Sequence, residues 1–152
     1  SNLVYGVKSS SGENTRKAAT IAQATEFIDS KDDGYQSTIA QGGTNVSGGQ
    51  KQRLSIGRAL VKNAPIYLFD DSFSALDLKT DRNLRAALKK ETGDSTIILV
   101  AQRVGTIMNA DQILVMENGA LVGKGTHQEL LKTCAVYREI AYSQLSEEEL
   151  AV

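Results

Sequence analysis

The chain of 152 residues has one cysteine, one proline, one histidine and no tryptophan. A lone Cys134 excludes an intramolecular disulfide and points to a reducing compartment. Charge of one sign is lacking too. Seventeen basic residues face 18 acidic ones, for a formal net charge of -1, so no basic field is available to neutralise the phosphates of a nucleic acid. No apolar run approaches the ~20 residues of a membrane span. The longest runs, around Ile97 to Ala101 and Ile113 to Met116, have the length of core strands. Ser1-Asn2-Leu3 shows neither the basic nor the apolar region of a signal peptide. No internal repeat or low-complexity segment is present. A hydrophobic content of 41% is enough to bury a core.

Residues 1–12 read as a loop. Ala18, Ala19, Ile21, Ala22, Phe27 and Ile28 recur at three- and four-residue spacing and predict a helix over Glu13 to Asp29. Asp33-Gly34 and Gly42-Gly43 are turn signals. A second helix is expected over Ser47 to Lys62, ended by Pro65, and a third over Lys79 to Glu91. Ile66-Tyr67-Leu68-Phe69 is apolar without alternation, the pattern of a strand buried on both faces in a parallel sheet. Thr96 to Val100 and Gln112 to Met116 read as further buried strands. Asn118-Gly119 between apolar runs predicts a hairpin, and Thr126-x-x-Glu129 is a capping box. Val136, Tyr137, Ile140 and Ala141 outline a last helix, followed by a frayed acidic tail over Ser146 to Glu149. Helices fill the first half, and strands alternate with helices in the second. The expected organisation is a helical subdomain over 1–64 and an α/β core over 65–152.

Ser47-Gly48-Gly49-Gln50 stands at a predicted helix start. Unpaired backbone N–H groups, a positive dipole end and two missing Cβ atoms make such a start a place where phosphate can approach the backbone. The same residues also read as a simple capping box. Asp70-Asp71 closes the first strand, where ligands of open α/β sheets bind. Adjacent carboxylates repel unless a cation offsets them, and Mg²⁺ suits them because it keeps waters and phosphates in its shell. The plain alternative is one Asp capping the next helix. The phosphate cradle just upstream favours the metal-nucleotide reading.

In order along the chain, these segments resemble the ABC ATPase family. Asn45 to Arg53 resembles its signature motif, Ile66 to Asp71 its Walker B strand, and Ser74-Ala75-Leu76-Asp77 its D-loop. Ile97 to Arg103 occupies the place of the switch strand. Gly123 to Leu131 is similar to the usual tail of exporter-type domains. Thr38 to Gly43 resembles the exporter X-loop, with Gln41 where Glu is usual, and Leu3-Val4-Tyr5-Gly6 resembles the segment after the Q-loop. Ordered motifs of this number make a chance match improbable. The resemblance implies an α/β, partial P-loop NTPase fold: a helical subdomain, an incomplete parallel-sheet core, and a C-terminal hairpin with helices. It implies ATP and Mg²⁺, with Asp70 on the metal and Ser47, Gly48, Gly49 and Gln50 contacting an ATP held by a second ABC ATPase domain. Ser74 to Asp77 would lie at that dimer interface, and Thr38 to Gly43 would meet the coupling helices of a transmembrane domain at the cytoplasmic face of the cell membrane.

Two departures matter. The sequence contains no G-x-x-x-x-G-K-S/T loop, so the resemblance implies the C-terminal part of an ATPase domain, inactive on its own. A gap is then expected between the Thr96–Val100 and Gln112–Met116 strands, inviting a swapped or strand-paired oligomer. The catalytic positions also differ. The family's usual Glu is Asp71, whose carboxylate is withdrawn by about one C–C bond, and ~1 Å of misplacement can cost ~100-fold in rate. The usual switch His is Gln102, which cannot carry a proton charge near neutral pH. Asp71 and Gln102 together resemble the degenerate chain of heterodimeric multidrug exporters. His127 is expected to be a solvated helix-start residue. Arg53 and Arg58 read either as phosphate contacts or, with more weight, as partners of acids, and Asp77 is expected to orient its loop across the dimer interface. Two rival readings are a non-hydrolysing regulatory module and a chromosome-maintenance or repair ATPase. The second lacks support, since there are no sustained heptads and no basic stripe.

Overall fold

The computed structural model describes residues 2–5, 7 and 10–150. Ser1 and Gly6, the latter part of the segment compared with the post-Q-loop region, lie outside them. The described residues divide into two compact units, one ending at Val100 and the other beginning at Ala101. Position 64/65, where composition shifts, lies inside the first.

The first unit is an α/β layer. Helix α1 (Gly12–Ile21) is capped by Ser11, whose hydroxyl accepts from the Asn14 N–H. The single helix expected over 13–29 is two, because Gln23 takes a left-handed φ of 56° before α2 (Thr25–Asp29). The early loop also holds structure: Asn2–Val4 form a 3-10 turn that puts Leu3 in the core. Helix α3 (Gly48–Leu60) and helix α4 (Leu78–Glu91) flank strand β1 (Ile66–Asp70) in sequence, and β1 pairs in parallel with β2 (Thr96–Val100), Ile66 opposite Thr96 and Asp70 opposite Val100. Tyr67 and Phe69 point into a core shared with Ile56, Leu60, Leu84 and Leu88.

The expectation that both strands are buried on two faces is corrected here. Ile66 and Leu68 are 60% and 66% exposed, and Ile98 and Val100 are 49% and 51% exposed. The core lies against one face of the pair, and alternation of side chains along a strand sends every second residue to the other.

The second unit is built on an antiparallel hairpin, β3 (Ile113–Glu117) and β4 (Ala120–Gly125), with a register shift at Val115/Met116. Asn118 and Gly119 both have positive φ, 49° and 80°, as the turn signal requires. Helix α5 (Val104–Ile107) precedes the hairpin; α6 (His127–Thr133), α7 (Ala135–Gln144) and α8 (Glu147–Leu150) follow. Val104, Ile113, Val115, Leu130, Cys134, Tyr137 and Ala141 form its core. The supposed frayed tail is the capped helix α8: Ser146 N–H donates to Glu149 Oε2 at 3.0 Å. Thus β2 and β3 belong to different sheets. Among the described residues no helix is long and apolar enough to cross a membrane.

Candidate functional site

The start of α3 is built by its own sequence. Ser47 holds extended backbone as the N-cap, and Gln50 is the third helical residue. The Gln50 N–H donates to Ser47 Oγ at 3.2 Å, and the Ser47 N–H donates to Gln50 Oε1 at 3.0 Å. The capping-box reading therefore holds, and both polar side chains are engaged by the helix they start. The amides of Gly48 and Gly49 are first-turn donors with no intrahelical acceptor, so the end retains its capacity for an anion. Gly49 answers a second need. A Cβ there would stand 3.0 Å from the Ala75 carbonyl oxygen, while one at Gly48 would make ordinary contact with Ala75 Cβ at 3.6 Å.

The acidic end of β1 lies in the same unit. Asp70 and Asp71 are both exposed. Asp71 takes a φ of 47°, in the left-handed region that Asp tolerates better than most residues, and its N–H donates to the Val100 carbonyl at 2.9 Å. The alternative that one of this pair caps the next helix is overturned. Asp77 caps α4, accepting from the Thr80 N–H at 2.9 Å and the Thr80 hydroxyl at 2.7 Å. Those bonds, the backbone one foremost, hold the Asp77 carboxyl below the ordinary aspartate range. Among the described residues no three His, Cys, Asp or Glu converge to hold a metal alone. A cation at Asp70 would take its other ligands from water and phosphate, a shell Mg²⁺ accepts. Of the loop between, Ser74 and Ala75 are exposed and Leu76 is buried.

Gln102 lies in the second unit, exposed, with its carbonyl accepting from Gln144 Nε2 at 3.0 Å. Gln144 Oε1 accepts from the Val104 N–H at 2.8 Å, so the last residue of α7 caps the start of α5. Thr38 to Gly43 is shaped by Asn45, whose Oδ1 accepts from the Ala40 N–H at 3.0 Å and whose Nδ2 donates to the Thr38 carbonyl at 2.8 Å.

Two other expectations change. His127 is only 4% exposed, and its Nδ1 lies 2.8 Å from the Tyr137 hydroxyl, a hydrogen bond in either tautomer. Burial lowers its pKa and raises that of Tyr137. Among the described residues Arg53 pairs with no acid. It donates to the Gln23 carbonyl at 2.7 Å and lies 4.9 Å over the Phe27 ring. The residues that sequence reasoning missed, Asn45, Gln52 and Gln144, are amides whose partners stand five to 42 positions away. For Gln52 and Gln144 no local pattern carries that signal; for Asn45 its place between the turn and the helix was a hint.

The family described as ABC transporter matches residues 3–74. An ATP-dependent lipid A-core flippase of Pasteurella multocida is 41% identical over 146 residues, covering 95% of this chain and 25% of the flippase. A solved structure of a bacterial Atm1-family ABC exporter with ATP bound matches with a TM-score of 0.91 and 37% identity, over 96% of this chain and 26% of the exporter. The chain belongs to the ABC-transporter nucleotide-binding family, exporter type. An uncharacterised ABC transporter ATP-binding protein of Mycobacterium tuberculosis is 49% identical over 128 residues, covering 84% of this chain and 22% of that protein. The ABC chain thus spans about a quarter of the length of the curated relatives it matches. Its fold is a partial ABC-ATPase α/β fold, and ATP binding is the property the family implies.

Proposed function

We propose that this ABC chain is the signature-bearing part of the ATP-hydrolysing subunit of an exporter, and that it lends α3 to a nucleotide held by a second ATPase domain. The observation that carries this is the capped glycine start of α3, with first-turn amides presented by Gly48 and Gly49 beside the loop that Ser74 to Asp77 form. In this reading Ser47, Gly48, Gly49 and Gln50 face the partner's ATP, and Ser74 to Asp77 line the domain interface. Asp70 binds Mg²⁺ together with water and phosphate oxygens. Thr38 to Gly43 docks a transmembrane domain, which places the chain at the cytoplasmic face of the cell membrane. Residues 1–64 form the helical subdomain and 65–152 the core part. Taken alone, the chain hydrolyses no ATP and pairs its open strand edges with another copy.

The chain's own Asp71 and Gln102 form the weak half of an asymmetric pair. Asp71 is one methylene short for a general base, and Gln102 offers hydrogen bonds without a titratable proton. The test is ATPase turnover of the complete transporter carrying Asp71→Glu with Gln102→His. Turnover at that site should rise by about 100-fold if the geometry is restored. An unchanged rate counts against the weak-site reading. Nucleotide binding with no turnover in either form of the transporter would favour a regulatory module that gates its partner without hydrolysis.

A further inference from the structure

The side chain of Gln52 leaves α3 one turn from its tip and enters the loop after β1. Its Nε2 donates to the Asp71 carbonyl at 3.1 Å and to Ser74 Oγ at 2.9 Å, and its Oε1 accepts from the Ala75 N–H at 2.8 Å. The partners fix the orientation of the amide. A backbone N–H can only donate and a carbonyl can only accept, so the flipped amide would lose both backbone bonds. Ser74 Oγ also donates to the Asp71 carbonyl at 3.1 Å, so that oxygen receives two hydrogen bonds.

Two further observations show the loop is held rather than merely touched. Asp71 keeps a φ of 47°, a conformation that persists for a non-glycine residue where its surroundings over-determine it. Its peptide is pinned on both sides, by Val100 at the N–H and by Gln52 and Ser74 at the carbonyl. One turn toward the tip, the missing Cβ of Gly49 lets the Ala75 carbonyl close onto the helix. The helix tip and the Asp71–Ala75 loop are thereby one body, joined at two heights.

We propose that Gln52 is a positioning residue that makes the loop carrying Asp71 move with the tip of α3. On the functional reading above, on which this rests for the identity of the two ends, it links the ATP engaged at the signature of this chain to the ATP site that Asp71 lines. Two half-sites that belong to different nucleotides are then coupled through a single side chain.

The test uses the complete transporter with Gln52→Leu and Gln52→Glu. Leucine removes all three bonds. Glutamate keeps the acceptor for the Ala75 N–H and loses the donors. Amide exchange by mass spectrometry should show Ala75 exchanging about tenfold faster in Gln52→Leu and near the parent rate in Gln52→Glu. ATPase kcat should fall about tenfold in Gln52→Leu with KM within twofold, because the loop is misplaced while nucleotide contacts remain. Unchanged Ala75 exchange in Gln52→Leu overturns the clamp. Faster exchange with unchanged kcat overturns the coupling. A parent transporter without any ATPase activity would sink the functional reading instead, and the exchange data would still decide the clamp. Should Gln52→Leu fail to accumulate, Gln52→Ala, which also removes all three bonds, serves the same comparison.

Discussion

Besides α8, where Ser146 and Glu149 pair in the same way, two helices of this chain start on one box of hydrogen bonds, Ser47 with Gln50 at α3 and Thr126 with Glu129 at α6. The boxes differ in what fills the two positions between. In α3 these are glycines, the tip is exposed, and a distant loop closes onto it at Ala75. In α6 they are His127 and Gln128, and His127 turns inward to meet Tyr137. A shared local motif therefore sets where a helix begins, while the residues inside the box decide whether that beginning faces ligands and loops or the core.

The largest expected effect tests the core under the second box. Leu130 is fully buried beneath the hairpin, and Leu130→Ala should cost about 3–5 kcal/mol in denaturant unfolding. The two boxes should then separate on glycine. Gly49→Ala forces apart a 3.0 Å contact with the Ala75 carbonyl and should destabilise by about 1–3 kcal/mol, despite alanine's better helix propensity. A stabilised variant would show that the loop yields freely and would break the contrast. The caps themselves should behave alike. Ser47→Ala and Thr126→Ala should each cost about 1 kcal/mol in thermal unfolding, but only the first should also lower ATPase turnover in the complete transporter.

The smallest effect is on pH. Buried His127 resists protonation, so its folded pKa lies below the ordinary 6.5. As pH falls below that value the denatured chain binds a proton that the folded chain does not, and stability declines toward the lowered folded pKa; above it this contribution is flat. Glu129, held low first by the Thr126 N–H and then by its hydroxyl, contributes stability above the ordinary glutamate range and loses it only as pH drops below 4.5 through its folded value. A melting series from about pH 8 to 2 should show the two steps apart, and His127→Gln should erase the upper one.

Much of this was legible in the residues. Strand β2, the Asn118-Gly119 turn and both capping boxes follow from local chemistry. So does the order of motifs that marks the family. Burial was harder. Ile66-Tyr67-Leu68-Phe69 has the composition of a strand covered twice, but composition cannot say how many layers are supplied, and here Ile66 and Leu68 stay exposed. His127 looked solvated because the ring it meets is ten residues on. Gln52 was unreadable for a similar reason: its neighbours in sequence are charged or polar helix-surface residues, and its partners arrive only when β1 turns at Asp71.

The pairing of β1 with β2 also bears on the order in which the chain folds. Ile66 meets Thr96 thirty positions away, in parallel, with α4 spanning the interval. The Asn118-Gly119 hairpin pairs Glu117 with Ala120 and needs only its turn to begin. Hairpins of this kind close in about 1–10 μs, whereas a parallel ladder waits for its crossover helix and for the entropy of a long loop. The ladder that ends at Asp70 thus closes only when residues thirty positions on are in place, whereas the hairpin draws on its own turn alone.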